Sequence, residues 1–343
     1  MLAMQTPAWK QPQFWLGIII SVACLGAIFF IVDPREVATA LRSADIRFII
    51  SGLGLIWTFM MLRALRWRFM LEDKISLWRI FHLQNIGYML TQVLPFRIGD
   101  PARAVLVGNE KDLTIGQSMS TMVVERVLDM MAVVLMLPIA ASQLQTFPEQ
   151  LRILARIAGI AVVILMIIVI VAANFRPMFH NLAKSLLDRT PLDSDRWAGM
   201  IDDLLAGLII FTSWRSGLIL LAMSVAIWIP ITFAYQFFIF AAGIDVSVIA
   251  TLFVMCTAAF GIATPSSPSQ AGVFHAAVTF ALTALGYDSA KAASAGFLYH
   301  TFNFTLLIVL GVIGLSRTQS SFAQVVAATR NLISQRKTDN TTV

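Results

Sequence analysis

Six stretches of the chain are apolar almost without interruption: 14–32, 46–62, 118–141, 153–173, 217–242 and 290–315. About 20 such residues carry a helix across the hydrocarbon core of a bilayer. Each stretch is therefore predicted as a membrane-spanning helix. Pro230 lies inside the fifth and is expected to kink it, which a bundle tolerates when neighbours satisfy the freed carbonyl.

Two further apolar stretches are broken. Residues 77–108 contain Leu94-Pro95-Phe96-Arg97-Ile98-Gly99-Asp100-Pro101. Residues 248–285 contain Thr264-Pro265-Ser266-Ser267-Pro268-Ser269-Gln270-Ala271-Gly272. Neither half of either stretch comfortably spans a bilayer alone. Each is predicted to form a re-entrant helical hairpin, with two short helices joined by a water-exposed loop as the alternative. Both breaks carry a helix-start signal. Asp100 then Pro101 reads as N-cap and first helical position, with Arg103 in the first turn. Ser267 then Pro268 repeats the device, and Gln270 completes a capping box. Free amides and positive dipole ends would then gather at both tips, which suits a phosphate or a carboxylate.

Loop charge orients these elements. Basic residues cluster at 63–79, 176–215 and 317–337, while 142–151 and 243–247 carry none. The positive-inside rule puts the basic groups and both termini in the cytoplasm. Arg63, Arg66 and Arg68, at the end of the second span, read as topology anchors. The order is span, span, hairpin, span, repeated once, so halves at about 14–141 and 152–316 would be inverted relative to one another. Paired, Gly/Pro-interrupted segments in inverted repeats are frequent in secondary transporters. A stripe formed by Trp197, Met200, Ile201, Leu204, Leu205 and Leu208 predicts an amphipathic cytoplasmic helix within 177–214. Residues 1–13 and 317–343 read as cytoplasmic tails, the latter fraying after Gln319.

Composition agrees. Of 343 residues, 58% are hydrophobic and 13% charged, against about 25% charged in soluble chains. Mean hydropathy is +0.79. The net charge of +6 is scattered between apolar spans, so it points to anionic headgroups and not to nucleic acid. Cys24 and Cys256 lie apart in apolar runs and make neither a disulfide framework nor a metal site. No metal or cofactor is expected.

The charges inside the spans carry the candidate chemistry. Glu125, Arg126 and Asp129 interrupt the third span. Left unpaired they would cost roughly 8–10 kcal/mol on insertion scales, so they must be compensated. Glu125 and Asp129 share a helix face, Arg126 is within reach of Asp129, and Arg97 or Arg103 of the first hairpin could join them. Such a network could simply lock the bundle, or it could hold an arginine toward a phosphate, which a guanidinium grips with two parallel bonds. His275 and His300 lie in apolar helices, with Asn303 placed to face His300.

With these residues in view, the chain resembles the flippase-type transmembrane domain of lysylphosphatidylglycerol synthases (multiple peptide resistance factors) and their stand-alone relatives. Arg66-Trp67 with Leu71, then Leu94-Pro95-x-Arg97-x-Gly99-Asp100-x-x-Arg103, then Glu125-Arg126-x-x-Asp129 carry the resemblance, over about residues 14–316. It implies an all-α, lipid-binding or lipid-translocating membrane domain with re-entrant helices. Ser269-Gln270 stand where that family commonly has paired glycines, and His275 where it has an acid. Fewer than 30 residues follow the last span, so aminoacyl transfer to lipid is not expected of this chain.

The expectation is a flippase or transporter in the cell membrane for an anionic phospholipid or polyprenyl-phosphate lipid. Arg97, Asp100, Arg103, Glu125, Arg126, Asp129, Ser267, Gln270 and His275 are its candidate substrate-binding residues. Alternatives are a secondary transporter for a small anionic solute and a non-transporting assembly subunit; a homo-oligomer is left open. An enzyme is not expected: there is no Gly-x-Ser-x-Gly and no paired His-Glu zinc motif, and helix capping explains Ser266, Ser267 and Ser269 better than a nucleophile paired with His275.

Overall fold

A computed structural model describes residues 12–94, 98–110, 113–143, 213–263 and 268–339, with isolated positions at 153, 157, 160, 164 and 185. The protein is an all-α membrane protein. Among the described residues there are eleven helices and no strand. They are α1 Pro12–Ile31, α2 Pro34–Arg42, α3 Ile46–Met70, α4 Leu77–Val93, α5 Gly99–Gly108, α6 Ile115–Gln143, α7 Trp214–Ala241, α8 Val248–Ala263, α9 Val273–Ala284, α10 Ser289–Thr318 and α11 Phe322–Asp339. Helices α3, α7 and α10 are long and apolar enough to cross a bilayer. Large apolar side chains face outward, among them Phe30 (93% exposed), Phe280 (66%) and Val225 (65%). Water would not tolerate such a surface, and lipid favours it.

Five predicted spans coincide with α1, α3, α6, α7 and α10. The fourth, 153–173, and the amphipathic stripe at 177–214 lie outside the described residues. Pro230 sits inside α7 and does not end it. Two helices were not expected. Asp33 accepts a hydrogen bond from the Arg35 amide (2.8 Å) and, with Pro34 at the first position, starts α2 in what reads as a loop. The tail does not fray at Gln319. That residue takes a left-handed turn (φ 54°), and Ser321 and Gln324 then cap α11 reciprocally, each bond 3.1 Å. Val325 and Val326 of α11 pack with Ile86, Leu90 and Ala102, so the helix covers the first broken stretch.

Both broken stretches form helical hairpins: α4 packs on α5, and α8 on α9. At 1.5 Å per residue the ten residues of α5 extend about 15 Å, half the thickness of a hydrocarbon core. Gly87 and Gly99 make the first hairpin tight. A Cβ on Gly87 would collide with the Arg103 stem, and one on Gly99 with the Gly87 carbonyl and Thr91.

The packing has an exchange symmetry. Helices α3 and α7 pair along their lengths. Helix α4 packs on α10, and α8 correspondingly on α6. The contacts α5–α6, α3–α4 and α3–α6 match α9–α10, α7–α8 and α7–α10. Swapping α3–α6 for α7–α10 thus leaves the packing unchanged, the relation expected of two repeats. The tip of the second hairpin, Pro268–Gln270, rests on α4 of the first.

Candidate functional site

Helix α3 continues eight residues past the predicted span, to Met70. Arg63 and Arg66 lie inside the protein, 9% and 0% exposed, and are not the exposed anchors expected from the sequence. Their spacing of three residues matches the four between Glu125 and Asp129 on α6, so two guanidiniums meet two carboxylates along facing helices. Arg63 Nη2 pairs with Glu125 Oε1 and with Asp129 Oδ2 (2.8 Å). Arg66 Nη2 pairs with Asp129 Oδ1 (2.8 Å), and its Nη1 donates to Ser224 Oγ of α7 (3.1 Å). Only Arg68 behaves as an anchor, half-exposed and paired with Asp73 (2.9 Å).

The first hairpin contributes Arg103. Its guanidinium lies in the cluster, with Nη2 donating to Glu125 Oε2 (3.0 Å) and Nη1 to Glu125 Oε1 (3.3 Å). Its Cζ stands 4.2 Å from the Trp67 ring centroid and 5.0 Å from that of Tyr88, so aromatic faces close it in. Trp67 is itself fixed by its Nε1 donating to Thr121 Oγ1 (3.0 Å). Tyr88 OH reaches Glu125 Oε1 at 3.5 Å.

Arg126 does not pair with Asp129. It turns the other way and holds Asp100, with Nη2 at 2.7 and 2.8 Å from the two carboxylate oxygens. Asp100 is correspondingly not an N-cap. Helix α5 begins at Gly99, with Ile98 preceding it and no side-chain cap, and Asp100 sits in its first turn. Arg97 lies outside the described residues.

The result is an ionic cluster joining α3, α5 and α6. Arg63, Arg66, Arg103 and Arg126 face Asp100, Glu125 and Asp129, one positive charge in excess. Among the described residues, Nε of Arg63, Arg66 and Arg103 is buried without a hydrogen-bond partner. Buried donors of this kind are costly unless something accepts from them. Gln84, Asn85 and Gln92 on α4 also carry buried carbonyl oxygens without partners. No group of acidic, histidine or cysteine side chains suited to a metal occurs among the described residues.

The second hairpin is built differently from its prediction. Ser267 lies outside the described residues. Pro268–Gln270 is a separate turn, and Ser269 and Gln270 both take left-handed backbone (φ 59°). This is the conformation that glycine adopts freely. Helix α9 starts at Val273, and His275 Nδ1 accepts the Gly272 amide (3.1 Å), so histidine performs the capping assigned to Ser267 and Gln270. His275 stacks on Phe297 (4.2 Å between centroids) and meets His300 edge-on (4.6 Å). His300 Nε2 donates to the Ser269 carbonyl (2.8 Å), tying the tip to α10. Among the described residues, neither Gln270 nor His275 bonds to a side chain of the ionic cluster; His275 joins an aromatic group with Phe274, Phe297 and His300, to which Tyr235 and Tyr299 add through Phe274.

Sequence reasoning missed Arg63, Arg66, Trp67, Tyr88 and Ser224 as members of the site. The matched spacing of Arg63–Arg66 and Glu125–Asp129 was the available signal.

The Lysylphosphatidylglycerol synthase TM region family matches residues 14–311. This chain belongs to that family. Within the Lysylphosphatidylglycerol synthase TM region family the similarity to curated proteins is distant. "Glycosyltransferase AglD" of Haloferax volcanii is 22% identical over 336 residues, covering 86% of this chain and 53% of that protein. A "UPF0104 membrane protein" of Methanothermobacter thermautotrophicus is 26% identical over 117 residues, 33% of this chain and 35% of that one. The chain therefore spans about half the length, or less, of these relatives. No solved structure matches. The AglD similarity corrects one expectation. The absence of catalytic motifs reads as a chain that is not an enzyme, and that reading is withdrawn, because a relative aligned with most of the chain is named as one.

Proposed function

We propose that the protein binds a membrane lipid with an anionic headgroup at the ionic cluster and moves it across the bilayer. One observation carries this reading: the surplus positive charge buried where α3, α5 and α6 meet. A charge held away from water needs a counter-charge, and a phosphate would accept from the unpartnered Nε groups. Family membership and the two hairpins support the same reading, because half-length helices at membrane depth are built around polar guests. In this reading α4–α5 and α8–α9 are re-entrant from opposite faces, and both termini lie in the cytoplasm of a cell-membrane protein.

The test is a translocation assay in vesicles carrying fluorescent phosphatidylglycerol, read by quenching from outside. The wild-type chain is expected to expose inner-leaflet label, and Arg103→Ala to slow this by on the order of tenfold or more, the worth of one charge-assisted hydrogen bond. Equal rates in the wild-type chain and in protein-free vesicles would overturn the proposal. A second reading, favoured by the AglD similarity, is a part in glycosyl transfer. Sugar incorporation into lipid by the purified chain, without translocation, would select it.

A further inference from the structure

A cavity of about 400 Å³ lies between α6, α7 and α8. Its walls are apolar almost throughout, from Leu128 and Met136 on α6 to Leu221 and Phe233 on α7. From Leu221 to Phe233 the groove runs about 18 Å along α7 at the usual helical rise. Val225 and Ile229 form its lip and are 65% and 54% exposed, so it opens sideways onto the lipid-facing surface.

The groove is continuous with the ionic cluster. Ser224 belongs to both: it lines the cavity, and its Oγ accepts from Arg66 Nη1. On α6, Asp129 stands one turn before Ala132, and Ala132 and Met136 continue the same face into the cavity wall. A polar end with surplus positive charge therefore leads directly into an apolar channel open to the membrane. One more group is unaccounted for. Trp228 lines the groove, and its indole Nε1 is buried with no hydrogen-bond partner among the described residues. Buried tryptophan N–H groups normally find an acceptor. The hydroxyls nearby are spent within α7, Ser224 on the Leu220 carbonyl and Thr232 on the Trp228 carbonyl (both 2.7 Å).

We propose that this groove is the chain subsite of the lipid site: it holds one hydrocarbon chain of an anionic diacyl lipid whose phosphate lies at the cluster. The assignment rests on the lipid-binding reading given above and deepens it. The amphipathic order of the site, charge then hydrocarbon, is that of a glycerophospholipid. Between the two lie ester carbonyls, which would supply the acceptor that the buried Trp228 N–H lacks among the described residues. A soluble anion has nothing to place in the groove, and an uncharged lipid has nothing to place at the cluster.

The experiment uses the full chain in phosphatidylcholine vesicles that contain phosphatidylglycerol with a photoreactive diazirine at mid-chain. A parallel sample carries the same chain on phosphatidylcholine. A third carries phosphatidylglycerol labelled at the headgroup. Cross-linked peptides are mapped by mass spectrometry. The anionic chain probe is expected to label 128–136 and 221–233 on the order of tenfold more than the phosphatidylcholine probe does. Ala132→Trp fills the groove and removes that excess. Trp228→Phe, which keeps an aromatic ring in the wall and removes the donor, lowers it and serves where the bulkier variant does not fold. Headgroup label at α5 and α6 without excess chain label in the groove overturns the subsite and leaves the lipid-binding reading standing. Equal labelling by both chain probes overturns it too, as a crevice with no headgroup preference. Groove peptides shielded from every probe point to a covering segment of this chain and overturn it likewise. No headgroup label at the cluster overturns the lipid-binding reading itself.

Discussion

Glu125 is the residue on which the ionic cluster closes. It is 1% exposed and accepts from Arg63, Arg103 and the Tyr88 hydroxyl. Removing it leaves two buried guanidiniums facing each other. Glu125→Ala is expected to destabilise the protein by about 3–5 kcal/mol, measured by thermal unfolding in detergent. Arg68→Ala, which breaks an exposed pair, should cost no more than about 1 kcal/mol. A cost for Glu125→Ala as small as that of Arg68→Ala would show that the cluster is not dry. The acids of α6 are legible in sequence because charges inside an apolar run have no cheap alternative. Arg63 and Arg66 are not, because a guanidinium near the end of such a run can equally reach the interface. Ser269 and Gln270 teach a related lesson. Nothing in their identity announces left-handed backbone, which costs about 1–2 kcal/mol per residue outside glycine. Gly substitution returns about 0.4–1 kcal/mol of that to the unfolded chain. Ser269→Gly with Gln270→Gly should therefore raise stability by about 1 kcal/mol; a lower unfolding midpoint would mean that these side chains hold the tip themselves.

At the scale of elements, the hairpin α4–α5 depends on two backbones in contact. Gly99→Val would press the new side chain into the Gly87 carbonyl and Thr91. The arms must then separate, and Arg103 is drawn away from Glu125. A loss of about 1–3 kcal/mol from overpacking is expected, together with loss of phosphatidylglycerol translocation. Unchanged transport with the measured destabilisation would detach the hairpin from the function. Both hairpins are legible because proline and glycine interrupt apolar runs too short to span twice. Their caps are not. Asp100-Pro101 and Ser267-Pro268 have the right local chemistry, but tertiary partners won: Arg126 took Asp100, and His275 took the Gly272 amide. Helix α11 was hidden for the opposite reason. Its sequence is polar at the end, and only its few apolar positions, Val325 and Val326, find a face on the hairpin.

At the scale of the molecule, the order of spans and hairpins agrees with the exchange symmetry of the α3–α6 and α7–α10 packing, although the halves share no visible sequence. The packing supplies what the residues conceal: the first arm of each hairpin leans on the long helix of the other half, α4 on α10 and α8 on α6. If transport exchanges those two leanings, fixing one should stop it. Cys256 of α8 lies against α6, with its Sγ 3.7 Å from the Val133 carbonyl. Val133→Cys in a Cys24→Ser background is expected to form a disulfide on oxidation, arrest translocation reversibly and leave lipid binding intact. Full transport with the bond formed would mean that α6 and α8 move as one. The chemistry, however, is not repeated: the guanidiniums belong to the first half, and the corresponding region of the second is aromatic. The surplus charge of the cluster then has an electrical meaning. A unit charge carried through the whole membrane field is worth about 2.3 kcal/mol per 100 mV. Under the proposed transport function, the empty protein would feel a share of that force in any step that moves the cluster through the field, and a guest bearing one negative charge would silence it. In that proposed cycle, resting voltage alone would bias the side to which the vacant cluster is presented.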